Sequence, residues 1–112
     1  MQETDNILSL LEGYTLEDPS EIAKSIASDF RKRRVEKNLT REQVAEKAGI
    51  PVSNIVRFEQ KGLISLKNLI CIAIAMEYVL ELKDIFAHPK YSTMEELTQI
   101  RKNSNRTKAY KL

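Results

Sequence analysis

An all-α domain built around a helix-turn-helix corner is what this 112-residue chain predicts, and three observations lead there. The first is residues 40–59, TREQVAEKAGIPVSNIVRFE. With Arg41 counted as position 1, the small Ala45 stands at position 5, Gly49 at 9 and Ile55 at 15. Apolar Val44, Ala48, Ile50 and Phe58 fill positions 4, 8, 10 and 18. Ala45 lets two helices approach closely. Gly49 supplies the left-handed backbone state that ends one helix and swings the chain into the next. The second observation is a helical apolar repeat before the corner, at Ile22, Ala23, Ile26, Ala27 and Phe30. The third is the recurrence of hydroxyl caps where helices should start.

The elements follow in chain order. Residues 4–12 are expected to form a short helix with Ile7, Leu8 and Leu11 on one face, ended by Gly13. An acidic loop then runs to Pro19. Ser20 is the candidate cap of a helix reaching about Lys37, and Asn38-Leu39 make the turn. Thr40 caps the second helix, and Gln43 completes a capping-box pattern. The third helix covers about 52–60, with Ile55 and Phe58 as its inner stripe. Gly62 breaks the chain, Ser65 caps a fourth helix at about 66–76, and a fifth covers about 80–86. His88-Pro89 stops the fifth helix. Ser92 with Glu95 reads as another capping box, opening a last helix to about Lys102. The tail from Asn103 has no apolar periodicity and is expected to be disordered when unbound. The layout is thus an acidic segment at 1–19, a helical domain at 20–88, and a C-terminal helix with a basic tail at 89–112.

Composition bounds this reading. Hydrophobic residues at 42% and charged residues at 30% suit a globular chain, of a length that buries one modest core. The longest apolar run, Leu69 to Met76, is too short to span a bilayer. The acidic N-terminus lacks a basic-then-apolar leader, so the expected location is cytoplasmic. The single cysteine, Cys71, cannot form an intrachain disulfide and sits among Leu69, Ile70 and Ile72 as packing.

The net charge of +2 hides a segregation. Residues 1–30 carry −6, residues 31–67 carry +6, residues 68–100 carry −3, and residues 101–112 hold five bases and no acid. The positive block coincides with the corner and the end of the helix before it. Clustered Lys and Arg bind phosphate backbones by releasing counterions. A helix-turn-helix inserts its second helix into the DNA major groove. Together these point to double-stranded DNA as partner.

Residues 22–86 resemble the lambda-repressor-like helix-turn-helix domain of the Cro and Xre regulators, five helices around one small core. Besides the corner spacing, the resemblance includes Arg34 in the first helix, Glu59 at the end of the third, and the segment SLKNLICIAIAMEYVLELKDIF as fourth and fifth helices. It implies an ion pair between Arg34 and Glu59 with a structural role. Two departures stand out. Pro51 occupies a place where the family usually has a Ser or Thr cap; proline is tolerated there because its missing N–H would be unpaired anyway. Gly62 comes one residue later than the usual pattern.

The docking mode of the family implies base contacts from the first turn of the third helix, Val52, Ser53 and Asn54, with Arg57 one turn on. Arg57 offers a donor fork for guanine, Asn54 an amide for adenine, Ser53 a hydroxyl for base or phosphate, and Val52 a surface for a thymine methyl. Phosphate contacts are expected from Thr40 and Arg41, at a helix N-terminus that favours anions, and from Gln43 and Lys61. Of Arg31, Lys32, Arg33 and Arg34, only one or two can face a duplex. The tail bases Arg101, Lys102, Arg106, Lys108 and Lys111 would add non-specific attraction or idle in solvent.

No enzyme is expected. His88 has no cysteine partner and no carboxylate cluster in sequence, no metal or cofactor set is present, and Gly13, Gly49 and Gly62 form no phosphate loop. The expected function is a homodimeric repressor reading two half-sites. The alternative is an antitoxin that binds a partner toxin and represses its own operon, because the stretch from Glu81 onward is similar to Xre-type regulators encoded beside HipA-like kinases. A coactivator using the same fold to bind protein is a third reading.

Overall fold

A computed structural model describes residues 18–106. The expected helix at 4–12 and the end of the tail, 107–112, lie outside the described residues. Among the described residues the chain is all-helical: α1 Pro19–Glu36, α2 Arg41–Ala48, α3 Val52–Lys61, α4 Leu66–Ala75, α5 Val79–Lys83 and α6 Met94–Asn103. The described residues divide into two compact units, with the boundary between Val79 and Leu80.

Local chemistry explains each start and stop in the first unit. The cap of α1 is Asp18 rather than Ser20: its carboxylate accepts from the Glu21 N–H at 2.8 Å, and Pro19 takes the first helical position. Proline's fixed φ is preset for that position, so the helix begins two residues earlier than the hydroxyl suggested. Asn38 turns the chain with φ 56°, a left-handed state that asparagine tolerates. The capping box of α2 is complete. The Gln43 N–H donates to Thr40 Oγ1 at 3.0 Å, and the Thr40 N–H donates to Gln43 Oε1 at 2.8 Å. Gly49 ends α2 at φ 71° and ψ 33°, the left-handed corner that the spacing predicts. Ser65 caps α4 by accepting from the Asn68 N–H.

Gly62 does more than break the chain. It ends α3 at φ 71°, and a Cβ there would meet the Lys24 backbone nitrogen at 3.0 Å and the Ala23 carbonyl carbon at 3.1 Å. The loop after α3 therefore lies directly against α1, and glycine is required twice over, by conformation and by close approach. A Cβ on Gly49 would meet nothing within 4 Å, so conformation alone selects that glycine.

The core gathers the inner stripes of four helices: Ala27, Val44, Ala45, Ile55, Phe58, Ile72 and Met76. Val44 and Ile55 are wholly buried, and the Phe30 and Phe58 rings pack with centroids 5.5 Å apart. Burying a side chain of this size stabilises by about 1.5–3 kcal/mol. These contacts set α3 against α1 and α2, so its opposite face is turned outward. Lys37 Nζ donates to the Met76 carbonyl at 3.1 Å and closes the far end of α4 onto α1.

In the second unit the cap of α6 is Thr93, one residue later than Ser92. Thr93 Oγ1 accepts from the Glu96 N–H, and Glu96 reaches back to the Ser92 N–H and hydroxyl. The cap is therefore Thr93 to the Glu96 N–H, and the box expected at Ser92 and Glu95 is not formed, since the returning carboxylate is that of Glu96 and it takes Ser92 rather than the Thr93 N–H. Neither α5 nor α6 has a buried residue.

Candidate nucleic-acid interface

The outward face of α3 is where the sequence placed the base-reading side chains. Ser53 and Arg57 are exposed, and Asn54 is half-buried. Val52 is half-buried and packs against the core, so only part of its side chain remains on the outer face. Asn54 and Arg57 line an open groove of about 370 Å³ together with Leu63, Ile64, Ser65 and Asn68. The last four residues come from the loop after α3 and the first turn of α4. Sequence reasoning missed them, because the groove exists only where two elements meet in space. The cap at Ser65 marked that helix start, without showing that it opens beside Arg57.

The start of α3 is chemically bare. Pro51 makes no side-chain cap hydrogen bond, and no acid stands in the first turn. The N-terminal end of a helix carries a partial positive charge and unpaired N–H groups, and here no side chain of its own answers them. This end can therefore receive an anion.

The rim is basic but partly committed. Thr40 and Gln43 are exposed and bonded to each other through the capping box. Lys61 is exposed in the last turn of α3. Of the four consecutive bases in α1, Arg31 and Lys32 are exposed, and Arg33 pairs with Glu36 at 2.8 Å on the surface. Arg34 turns inward and is 8% exposed.

Behind this face lies a shared carboxylate. Arg34 donates from Nε to Glu59 Oε2 at 2.7 Å, from Nη2 to Oε1 at 3.0 Å, and from Nη1 to the Leu39 carbonyl at 2.8 Å. Arg41 adds a bond from Nε to Glu59 Oε1 at 2.9 Å. The Glu59 side chain is 1% exposed. Burial pushes its pKa up, but the hydrogen bonds and charges of Arg34 and Arg41 outweigh it and hold the carboxyl below its ordinary value. The ion pair implied between Arg34 and Glu59 is thus one side of a triad, and its second arginine is a residue expected at phosphate.

No metal-holding group of three His, Cys, Asp or Glu side chains exists among the described residues. His88 Nε2 lies 3.2 Å from Asp84 Oδ1 on the surface. Cys71 is free and half-buried in α4. No described helix is long and apolar enough to cross a membrane.

Residues 30–78 match a family model described as helix-turn-helix. The matched span runs from the second half of α1 to just past α4 and contains the whole outward face of α3. The match supports a DNA-binding transcriptional regulator of the Cro and Xre kind. No curated protein matches the chain significantly.

Proposed function

We propose that this chain, whose residues 30–78 are a helix-turn-helix domain of the Cro and Xre type, is a sequence-specific, homodimeric, cytoplasmic repressor and not an enzyme. One observation carries the reading: α3 presents an exposed Ser53 together with Asn54 and Arg57 in an open groove, and its positive end has no side-chain cap. In this reading Arg57 takes guanine through its donor fork, Asn54 takes adenine, Ser53 meets a base or phosphate, and the exposed part of Val52 touches a thymine methyl. Thr40, Arg41, Gln43 and Lys61 hold phosphates on either side, while Arg34 and Glu59 keep α1 and α3 in register. A single recognition helix reads few base pairs, so a twofold dimer with half-sites about 34 Å apart supplies the specificity.

The test sorts these roles by their dependence on sequence. Ser53→Ala and Arg57→Ala should narrow the affinity gap between a selected site and mixed-sequence DNA, with Arg57→Ala costing about 1–3 kcal/mol at the site. Equal losses on both DNAs would remove Ser53 and Arg57 from base reading.

The antitoxin alternative draws on the second unit. Leu80, Ile85, Phe86, Tyr91 and Met94 are all exposed, Phe86 by 95%, a surface that a protein partner would cover. Co-purification with the product of an adjacent kinase-like reading frame, abolished by Phe86→Ser, would favour that reading.

A further inference from the structure

The triad at Glu59 has an imbalance of charge and of geometry. Two guanidinium groups share one carboxylate, so a full positive charge is left over. Arg34 spends Nε, Nη1 and Nη2 within the protein. Arg41 spends only Nε, and its two terminal amino groups have no hydrogen-bond partner among the described residues. Its side chain is 35% exposed, against 10% for Arg34. Arg41 is also the first residue of α2, beside the exposed Thr40, at a helix start whose Gln43 N–H is already taken by the capping box.

We infer that Glu59 is a positioning residue for DNA binding: its buried carboxylate holds Arg41 by Nε, so that the remaining amino groups form a preset fork for a backbone phosphate. The inference rests on the DNA-binding reading and adds to it a cause for where one cation stands. A free arginine would lose its rotamer freedom on meeting a phosphate; this one has already lost much of it in folding. Arginine is required, since the anchor and the fork need three separate nitrogens on one planar group. Lysine at this place brings a point charge with a single nitrogen, which Glu59 and a phosphate would have to share. The carboxylate does not cancel the attraction, because Arg34 already balances its charge.

The experiment titrates the full chain against a mixed-sequence DNA duplex by fluorescence anisotropy across a salt series. Arg41→Ala should weaken binding about tenfold and flatten the plot of log affinity against log salt by about one unit. Arg41→Lys keeps the charge, so the slope should stay as in the wild type while affinity falls about threefold to fivefold. Glu59→Asp draws the carboxylate back by one methylene and keeps its charge. With its helical circular dichroism retained, it should lose the same factor as Arg41→Lys, and adding Arg41→Ala to it should cost less than Arg41→Ala alone. If Glu59→Asp does not fold, the contrast between Arg41→Lys and Arg41→Ala decides. An Arg41→Lys protein that binds as tightly as wild type would overturn the positioning role. A slope unchanged by Arg41→Ala would overturn the phosphate contact itself. Wild-type protein that binds no duplex at all would instead bring down the DNA-binding reading, a result distinguishable from either.

Discussion

At the scale of single residues, the fold depends on a few side chains for which no neighbour substitutes. Glu59 is nearly inaccessible and is held ionised by two arginines. Its folded pKa lies below the ordinary value, so its contribution is fully present above about pH 4.3 and is lost as pH falls through the folded value. A carbon-detected NMR titration of the Glu59 carboxyl should place its midpoint under that ordinary value, and a midpoint at or above it would contradict the triad. The two left-handed glycines separate conformation from space. Gly49→Ala should destabilise by about 1–2 kcal/mol, the cost of a Cβ in that backbone state. Gly62→Ala should cost more, because its Cβ also meets the backbone of Ala23 and Lys24. Urea denaturation of both variants decides the order, and equal values would mean that the loop does not rest on α1.

At the scale of elements, α3 stands out among the described helices of eight residues or more as the one without a side-chain cap. Pro51→Ser should be more stable than Pro51→Ala by about 1 kcal/mol, the usual value of a capping hydroxyl. Pro51→Asp should cap equally well yet weaken DNA binding, since a carboxylate would occupy the end that a phosphate is to approach. Thermal melts and duplex titrations of the three variants test both halves, and unimpaired binding by Pro51→Asp would move the phosphate elsewhere. Elements were the most legible part of the sequence, because their signals are local. The corner at Gly49, the capping box at Thr40 and Gln43, and the cap at Ser65 all lie within a few residues of the backbone they shape. Asp18 and Thr93 were overlooked in favour of nearby serines, since several adjacent oxygens can cap and only backbone geometry selects one. The third partner in the Glu59 triad was not legible. Arg41 and Glu59 are 18 residues apart, and nothing in their spacing says that two arginines converge on one carboxylate. The groove shared by Arg57 and Asn68 was hidden for the same reason.

At the scale of the whole molecule, charge segregation and fold agree on one working face. The net positive block, residues 31–67, runs from the C-terminal half of α1 through the start of α4. The same stretch holds the uncapped end of α3, the groove and the preset Arg41. Acidic residues 1–30 and 68–100 flank it in sequence, and a second basic stretch, 101–112, lies beyond them. The segment beyond Val79 adds exposed apolar side chains without a buried one of its own in α5 or α6, which suits contact with a second chain. The most direct test of the central claim, that the outward face of α3 reads bases in the major groove, is selection of bound fragments from random duplex DNA by the full chain. The account predicts enrichment of a twofold-symmetric site with half-sites one helical turn apart, at which Arg57→Ala loses its preference for a guanine. No enriched sequence, or an enriched site read equally well by Arg57→Ala and Ser53→Ala, would contradict it.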